Sequence, residues 1–302
     1  MSTGYNPLVD RFDQFLGNYN KNYNNTEYNR RLDIYTENMN RADSHNSKGK
    51  SWSLGETYYA DWSRDEFSDM FGSYNNYYTT AGVGSDEIAY TNSVDWVDQG
   101  KVSSVKNQGR CGSCWAFSAT GAVESAYAID SGNLLNLSEQ QIIDCDVMDH
   151  GCNGGDMDNA FAYVEENGLC MLDSYKYIGS QDPSCRKCNA KVYITGYKNV
   201  DSCNDKALDE ALQRQPVSIA IEADHVSFQL YTGGVFNGSC GTNLDHGVLL
   251  VGTGKTNEGL LYWKVKNSWG LNWGENGYIR ILRDNSASGV CGIKMQPSYP
   301  VV

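Results

Sequence analysis

The sequence predicts an α+β protein with two lobes, preceded by a mainly helical N-terminal segment. Apolar residues recur at helical spacing early in the chain, whereas glycine-bounded segments of period two dominate beyond about residue 190. Composition changes near residue 89, because all ten cysteines and 24 of the 31 glycines lie beyond it. Helices that precede strands, instead of alternating with them, are typical of α+β proteins. We therefore expect one domain over residues 1–89 and a second over residues 90–302.

The N-terminal segment is predicted to form an amphipathic helical hairpin. The apolar face of its first helix consists of Leu8, Phe12, Phe15 and Tyr19. A second helix is expected from Thr26, its predicted cap, to about Asn46. Its apolar stripe consists of Tyr28, Leu32, Tyr35, Met39 and Ala42. The polar residues 73–87 that follow are expected to be an exposed linker open to proteolysis.

The larger domain is organised around residues 108–118, a glycine-rich turn that leads into an apolar helix. The helix is predicted from Trp115 to about Asp130, where Ser131 and Gly132 give a stop signal. Cys114 therefore lies at a helix N-terminus. Free N–H groups and the helix dipole at that position favour a thiolate, which is a strong nucleophile.

Two more helices and five strands are expected downstream. Ser138 and Gln141 have capping-box spacing at the start of one helix, and residues 157–167, stopped by Gly168, form the next. The predicted strands are residues 192–200, 217–223, 248–252, 262–267 and 277–282.

Charge and cysteine content exclude several functional classes. The net charge of −13 argues against nucleic-acid binding and against an anionic membrane surface as partner. No run approaches the roughly 18 apolar residues of a membrane span, and the N-terminus does not resemble a signal peptide. Ten cysteines nevertheless favour an oxidising compartment, so we expect a lysosomal, vacuolar or extracellular protein whose signal peptide is missing from this sequence. A cytosolic protein with ten reduced thiols is the alternative.

Cys111 and Cys114 form a C-x-x-C pair, which alone is compatible with a disulfide, a redox pair or half of a zinc site. Trp115 extends the pair to C-G-S-C-W, and His246 and Asn267 follow Cys114 by 132 and 153 residues. This combination resembles the signature of papain-like cysteine proteases, closest to the cathepsin L type. The resemblance extends over nearly all of the chain.

The resemblance implies a fold with a helical lobe at about residues 100–195, a β-barrel-like lobe at about residues 196–302 and a cleft between them. It implies that Cys114 is the nucleophile, that His246 is its general base and acid, and that Asn267 orients the imidazole. Gln108 and the backbone N–H of Cys114 would form the oxyanion hole. Each of these side chains alone is more often structural than catalytic, but four at family spacing make coincidence very improbable.

Substrate is expected to lie along the Gly154–Gly155 stretch, where an extended peptide can hydrogen-bond to backbone. The substrate-binding residues that the resemblance implies are Gly154, Gly155, Met157, Ala220, Leu244, Asp245, Gly247, Trp269 and Gln296. The specificity pocket among them is expected to be apolar, with one polar group at its base.

The N-terminal segment resembles the inhibitory propeptide of cathepsin L-like proteases. The residues that carry the first motif are Glu27, Arg31, Tyr35, Asn38, Ala42 and Asn46, and those that carry the second are Gly55, Thr57, Tyr59 and Asp61. Tyr35, Ala42, Thr57 and Tyr59 depart from the usual motif residues. The mature domain is expected to begin near Ala89 or Tyr90.

The resemblance implies three disulfides, namely Cys111–Cys152, Cys145–Cys185 and Cys240–Cys291. Cys170, Cys188 and Cys203 match no family bridge, and Cys170–Cys203 is the preferred extra pair. The alternative is that none of these three forms a disulfide.

These observations together predict a monomeric cysteine endopeptidase zymogen that acts on protein and peptide substrates. It needs no metal or cofactor, is inhibited by its own propeptide and is activated by propeptide removal at acidic pH. A thiol–disulfide oxidoreductase using Cys111 and Cys114 would leave His246, Asn267 and the propeptide motifs unexplained. An inactive binding protein of the same fold is disfavoured by the intact catalytic residues, and a peptide ligase remains compatible with them.

Overall fold

The computed structural model describes residues 7–72, 88 and 92–302. The expected linker and the expected start of the mature domain near Ala89 or Tyr90 lie outside these residues. The helices, in chain order, are α1 (Pro7–Asn18), α2 (Asn25–Asn46), α3 (Arg64–Ser68), α4 (Cys114–Ser131), α5 (Glu139–Cys145), α6 (Met157–Asn167), α7 (Asp205–Leu212) and α8 (Val226–Gln229), followed by a 3₁₀ helix (Val290–Gly292).

The strands are β1 (Trp52–Leu54), β2 (Val94–Asp95), β3 (Leu169–Cys170), β4 (Ala190–Val192), β5 (Gly196–Asn199), β6 (Val217–Ile221), β7 (Tyr231–Phe236), β8 (His246–Lys255), β9 (Leu261–Lys266), β10 (Tyr278–Leu282) and β11 (Ser298–Val301). The strand expected over residues 192–200 is wrong as a single element. The chain leaves β4 after Val192 and starts β5 at Gly196, whose positive φ of 147° interrupts an extended run.

The N-terminal hairpin forms as predicted, with one change at its second helix. Asn24, not Thr26, caps α2, because its side chain accepts a hydrogen bond from the backbone N–H of Glu27 at 3.0 Å. Phe12 and Phe15 of α1 pack on Tyr35 of α2, with ring centroids 5.1 and 4.9 Å apart. The aromatic contacts join the two helices into one unit.

Arg31 is the polar centre of this unit. Its guanidinium binds Glu27 at 2.6 Å and Glu66 at 2.7 Å, and it donates to the backbone oxygen of Asp61 at 2.8 Å. Burial opposes ionisation of Glu66, but hydrogen bonds from Arg31, Ser63 and Arg30 outweigh it and lower the pKa of Glu66 to about 2. The predicted Glu27–Arg31 pair is therefore one arm of a larger network that joins α2 to α3.

Replacing Arg31 with alanine is expected to destabilise the full-length protein by about 3 kcal/mol, because Glu66 loses its main partner in a half-buried site. Arg41→Ala is the control, since Arg41 forms only an exposed pair with Glu37 and should contribute less than about 0.5 kcal/mol. Urea unfolding of both variants in a Cys114→Ala background, which prevents self-cleavage, measures the difference. Equal losses for the two arginines would show that the network contributes little.

The other motif residues of the N-terminal segment also hold its turns in place. Asn38 donates to the backbone oxygens of Ala60 and Trp62 at 2.9 and 3.1 Å. Asn46 donates to the oxygen of Leu54 and accepts from its N–H, at 2.7 and 3.0 Å. The motif pattern therefore records side chains that fix one irregular stretch of backbone.

The helical lobe is built around α4, whose residues are almost all buried between α5, α6 and the sheet. The helix ends at Gly132, which has a φ of 77° as expected for a left-handed stop. Ser138 accepts from the N–H of Gln141 at the start of α5. The Gln141 side chain does not complete a capping box, since its oxygen accepts from the N–H of Cys170.

The second lobe is a mixed sheet in the order β1-β7-β10-β9-β8-β6-β11-β5, with β2 paired to β8. Its centre is antiparallel, and β8 lies between β6 and β9 with Ala220 opposite Gly247. Strand β1 comes from the N-terminal segment and pairs antiparallel with β7, so that segment completes the edge of the sheet. Among the described residues, no helix combines the length and the apolar character needed to cross a membrane.

Four disulfides are present, and three of them are the pairs that the resemblance implies. The expected Cys170–Cys203 pair is wrong, because Cys170 bonds to Cys188. Strand β3 pairs with β4 and places Cys170 opposite Ala190, two residues from Cys188. Cys203 is a buried free cysteine in the β lobe, where its N–H donates to the backbone oxygen of Lys294.

Candidate active site

Cys114 is the first residue of α4 and its side chain is fully buried. Its sulfur lies within hydrogen-bonding reach of the backbone N–H of Gly247, the residue that follows His246. Burial raises the pKa of the thiol to about 11, and the Gly247 N–H offsets only part of this effect. In this form of the protein Cys114 is therefore a thiol, although its helix N-terminus favours a thiolate.

His246 begins β8 and faces Asn267, which follows the end of β9. The Nε2 atom of His246 and the Oδ1 atom of Asn267 are 2.8 Å apart. With that oxygen facing the ring, Nε2 carries the proton and Nδ1 carries the lone pair. Nδ1 is buried and has no hydrogen-bond partner among the described residues. Burial lowers the pKa of His246 to about 4, and the hydrogen bond that its ring donates to Asn267 opposes this shift.

Trp269 covers the outer side of this hydrogen bond. Its ring stacks on the imidazole of His246, with centroids 4.7 Å apart and planes 21° apart. The contact fixes the ring plane of the histidine and excludes water from its bond to Asn267.

Gln108 is held beside the helix N-terminus by contacts from both lobes. Its Oε1 accepts from the Ser268 hydroxyl at 2.6 Å, and its Nε2 donates to the backbone oxygen of Cys111 at 3.0 Å. Tyr177 donates to the backbone oxygen of Gln108 at 2.6 Å. The amide is therefore oriented before any substrate binds.

Gly155 packs against the side chains behind its loop. A Cβ atom on Gly155 would lie 2.5 Å from the Trp115 ring and 2.8 Å from Cγ of Asp149. Gly154 has a φ of 114°, which few other residues adopt. The two glycines are thus needed for the conformation of the loop backbone, in addition to the substrate contact that the sequence suggests.

The residues of the expected specificity pocket come from both lobes. Met157, Ala220 and Leu244 are buried in one hydrophobic core. A Cβ atom on Gly247 would lie 3.0 Å from the sulfur of Met157, so the two lobes meet here. Gln296 donates through Nε2 to Oδ2 of Asp156 at 2.9 Å.

Sequence reasoning did not single out Asp156, the hydrogen-bond partner of Gln296. A polar residue before an apolar helix indicates a cap, and Asp156 does cap α6 by accepting from the N–H of Asp158. Its second oxygen is the one bound by Gln296, so a carboxylate lies next to the neutral amide that the sequence assigns to the pocket.

The Asp245 carboxylate is held by backbone N–H groups of the loop after β6. It accepts from the N–H groups of Ala223 and Asp224 at 2.7 and 3.2 Å. Burial raises the pKa of Asp245 to about 7, helped by repulsion from Asp224 and Glu222. These contacts give Asp245 a structural use in the loop after β6.

The same loop contains the one group of side chains in the described part of the chain with metal-ligand spacing, Glu222, Asp224 and His225. His225 already contacts Glu222 at 2.9 Å, and Arg64 of α3 pairs with Asp224 at 3.5 Å. The cluster is not next to the thiol and takes no part in the chemistry derived below.

Aromatic side chains of the N-terminal segment cover the catalytic pair. The Phe71 ring lies edge-on to His246 at 5.3 Å, and Phe67 and Tyr59 contact the Trp269 ring at 5.3 and 5.7 Å. Gly72 continues across the cleft, where a Cβ atom on it would lie 2.7 Å from the carbonyl carbon of Asn153. Phe71 therefore shields one edge of the catalytic pair, whose two members, Cys114 and His246, are both fully buried.

Family comparisons agree with the resemblance that the sequence shows. Residues 90–301 match the family described as papain family cysteine protease, and residues 12–67 match the cathepsin propeptide inhibitor domain. The chain belongs to the papain family of cysteine proteases. It is a papain-like cysteine endopeptidase with a propeptide domain, and it has the two-lobed papain fold.

Named cysteine proteases are similar to this chain over most of its length. It is 40% identical to the senescence-specific cysteine protease SAG39 of Oryza sativa subsp. japonica, over 97% of this chain and 90% of that protein. It is 45% identical to cysteine proteinase RD21A of Arabidopsis thaliana, over 91% of this chain but only 62% of that protein. The solved structure of a recombinant stem bromelain precursor superimposes with a TM-score of 0.91 at 39% identity, covering 98% of this chain and 99% of that one.

The Cys111–Cys152 disulfide also decides against a redox pair formed by Cys111 and Cys114. Cys111 is bonded to Cys152, so the two residues of the C-x-x-C pair do not form a dithiol. The Cys111–Cys152 bridge instead joins the turn before α4 to the loop that carries Gly154 and Gly155.

Proposed function

We propose that this chain is the zymogen of an endopeptidase that cleaves peptide bonds through a Cys114 thioester. The observation that supports it most is the position of the Cys114 sulfur beside the Gly247 N–H, next to an imidazole whose Nε2 is bound by Asn267. Two buried neutral groups in these positions become a thiolate–imidazolium pair once water reaches the cleft, because burial is the main cause of both pKa shifts.

In the proposed reaction the Cys114 thiolate attacks the carbonyl carbon of the scissile bond. The oxyanion accepts hydrogen bonds from the Gln108 amide and the Cys114 backbone N–H. His246 gives its proton to the leaving amine, and a thioester remains. His246 then takes a proton from water, and the hydroxide attacks the thioester carbon. The C–S bond breaks, which releases the acid product and regenerates the Cys114 thiolate on the enzyme. Attack by an amine in place of water would give ligation on the same residues.

The propeptide is proposed to inhibit by excluding substrate and keeping the pair neutral. We infer that acid weakens the folded propeptide. Glu66 is a better candidate for the acid-sensitive carboxylate than Glu27 or Asp61, which the sequence favours. Its folded pKa of about 2 lies below its ordinary value of 4.5. The stability that Glu66 contributes is therefore complete at neutral pH and is lost as pH falls from about 4.5 towards 2. We also propose a monomer in a vacuolar, lysosomal or extracellular compartment, consistent with four disulfides.

The specificity pocket is expected to prefer Leu, Val or Phe over Arg two residues before the scissile bond, by about tenfold or ~1.4 kcal/mol. Met157 and Ala220 supply apolar walls, and Asp156 is already bound by Gln296. Gln296→Glu would place a second carboxylate beside Asp156 and should raise the relative rate for Arg substrates.

The matched control for that substitution is Gln215→Glu. Gln215 binds the backbone oxygen of Pro300 at 2.9 Å, on strand β11. Hydrolysis of a peptide library by the mature forms of both variants measures the preference. A wild-type profile dominated by Arg, or the same Arg gain in both variants, would refute the assignment of Gln296 to the pocket.

A further inference from the structure

Two carboxyl groups face each other behind the loop that carries Gly154 and Gly155. Asp146 caps the C-terminus of α5, and Asp149 follows it by three residues. The Oδ2 atom of each is buried and accepts no hydrogen bond from any donor in the described part of the chain. Asp146 is only 6% exposed, and the two carboxyl groups lie within hydrogen-bonding reach of each other. Two carboxylates in that position repel unless one of them holds a proton.

The other oxygens of the pair are used to shape the loop. Oδ1 of Asp146 accepts from the N–H of Met148 at 2.8 Å. Oδ1 of Asp149 accepts from the N–H of Asp156 at 3.0 Å and from the Asn159 amide at 3.1 Å. The Asp149 bonds connect the loop to the first turn of α6, where the specificity pocket begins.

Asp149 also supports the substrate-binding glycine directly. Its Cγ occupies the space that a Cβ on Gly155 would need, at 2.8 Å, with Trp115 on the other side. A movement of the Asp149 carboxyl therefore moves the backbone of Gly155 or leaves a gap under it.

We propose that Asp146 and Asp149 share one proton and that this protonated pair positions the Gly154–Gly155 backbone for substrate. The proposal rests on the proposed binding of peptides along these glycines. Loss of the proton places two anions in contact, which separates the carboxyl groups and loosens the loop. The residues would act by positioning and do not touch the reacting atoms.

The surroundings of the pair favour a proton over two charges. Burial, together with repulsion from Asp146, raises the pKa of Asp149 to about 7. Burial also raises the pKa of Asp146. Neither carboxyl forms an ion pair with a lysine or arginine of the residues described.

The described neighbours of the pair are neutral groups. Asn159 of α6 binds Asp149, and Trp115 of α4 packs beside Asp149 around Gly155. Burial raises the pKa of Tyr163, also on α6, and the charge of Asp146 adds to this shift, so Tyr163 stays neutral. Because the folded pKa of Asp149 is raised from 3.8, the stability that its proton contributes is complete below about pH 3.8. It is lost as pH rises to about 7.

The test measures KM and kcat of the mature enzyme for one peptide between pH 5 and 8. Wild-type KM is expected to rise about tenfold by pH 8, because a single group with a pKa near 7 loses its proton. In Asp149→Asn the amide can donate to Asp146 and still accept from Asp156, so KM should change less than about twofold over the same range. Asp173→Asn, an exposed carboxyl on the same lobe, is the control and should follow the wild type.

A second measurement is independent of activity. Urea unfolding of full-length Cys114→Ala protein at pH 5 and pH 8 should show a loss of stability with pH that Asp149→Asn reduces and Asp173→Asn does not. Asp146→Asn replaces the first variant if that one fails to fold. An unchanged pH dependence of both KM and stability in Asp149→Asn would overturn the proposal. The proposal would also be overturned if calcium lowered the wild-type KM at pH 8 and a chelator raised it again, because the pair would then bind a cation. If no peptide is cleaved at all, the proposed function fails and the unfolding data alone decide on the pair.

Discussion

Replacing Cys114 with serine is expected to lower kcat/KM of the mature enzyme by at least about 10³-fold, or ~4 kcal/mol of transition-state stabilisation. A hydroxyl in the same place stays protonated, because its pKa lies far above that of a thiol and His246 cannot ionise it in the ground state. The fold should be retained, since the substitution exchanges one small buried atom for another.

The matched control is Cys203→Ser, which changes the other free buried cysteine of the described chain. Cys203 lies in the β lobe next to the backbone of Lys294, away from α4, so activity per folded molecule should be kept. Peptide hydrolysis by both variants, with thermal unfolding as a check on folding, measures the effect. Substantial turnover by Cys114→Ser would refute the nucleophile assignment.

Alkylation of Cys114 by iodoacetamide at pH 7 is expected to be at least about 10²-fold slower in the full-length protein than in the mature enzyme. Only the thiolate reacts, and burial raises the pKa of Cys114 to about 11 in the full-length protein. At pH 7 a thiol with that pKa is ionised in only about one molecule in 10⁴. Removal of the propeptide should both expose the Cys114 sulfur to the reagent and permit its ionisation.

Mass spectrometry of the modified protein identifies the reacting residue, and full-length Cys114→Ala measures the background from Cys203. Phe71→Ala in the full-length chain should recover part of the rate, because it opens the contact with His246 at 5.3 Å. If the full-length and mature proteins react equally fast, the propeptide does not control the ionisation of the thiol.

Local patterns were sufficient to predict most of the regular structure. Residues 157–167 form α6 with the expected ends, because Asp156 and Gly168 are strong signals at its two termini. The cap of α2 was misplaced by two residues, since Asn24 and Thr26 are both good caps and only the observed backbone at Asn24 selects between them.

The other misses concern contacts that no local pattern specifies. The Cys170–Cys188 bond depends on the pairing of β3 with β4, which no local pattern specifies. Phe67 and Phe71 are apolar residues in and after a short helix, and their partner Trp269 lies about 200 residues downstream. Asp156 was missed because one carboxyl serves two purposes, a helix cap and a partner for Gln296.

Strand β1 has a consequence for the lifetime of the enzyme. The proposed removal of the N-terminal segment would take Trp52–Leu54 away, so strand β7 would become the outer edge of the sheet, with unpaired N–H and C=O groups where β1 had bonded. The aromatic cluster that Phe67 and Phe71 complete around Trp269 would be lost in the same event. The mature enzyme would therefore have fewer packing contacts than the full-length protein and an exposed strand open to aggregation, so activation would also make it less durable.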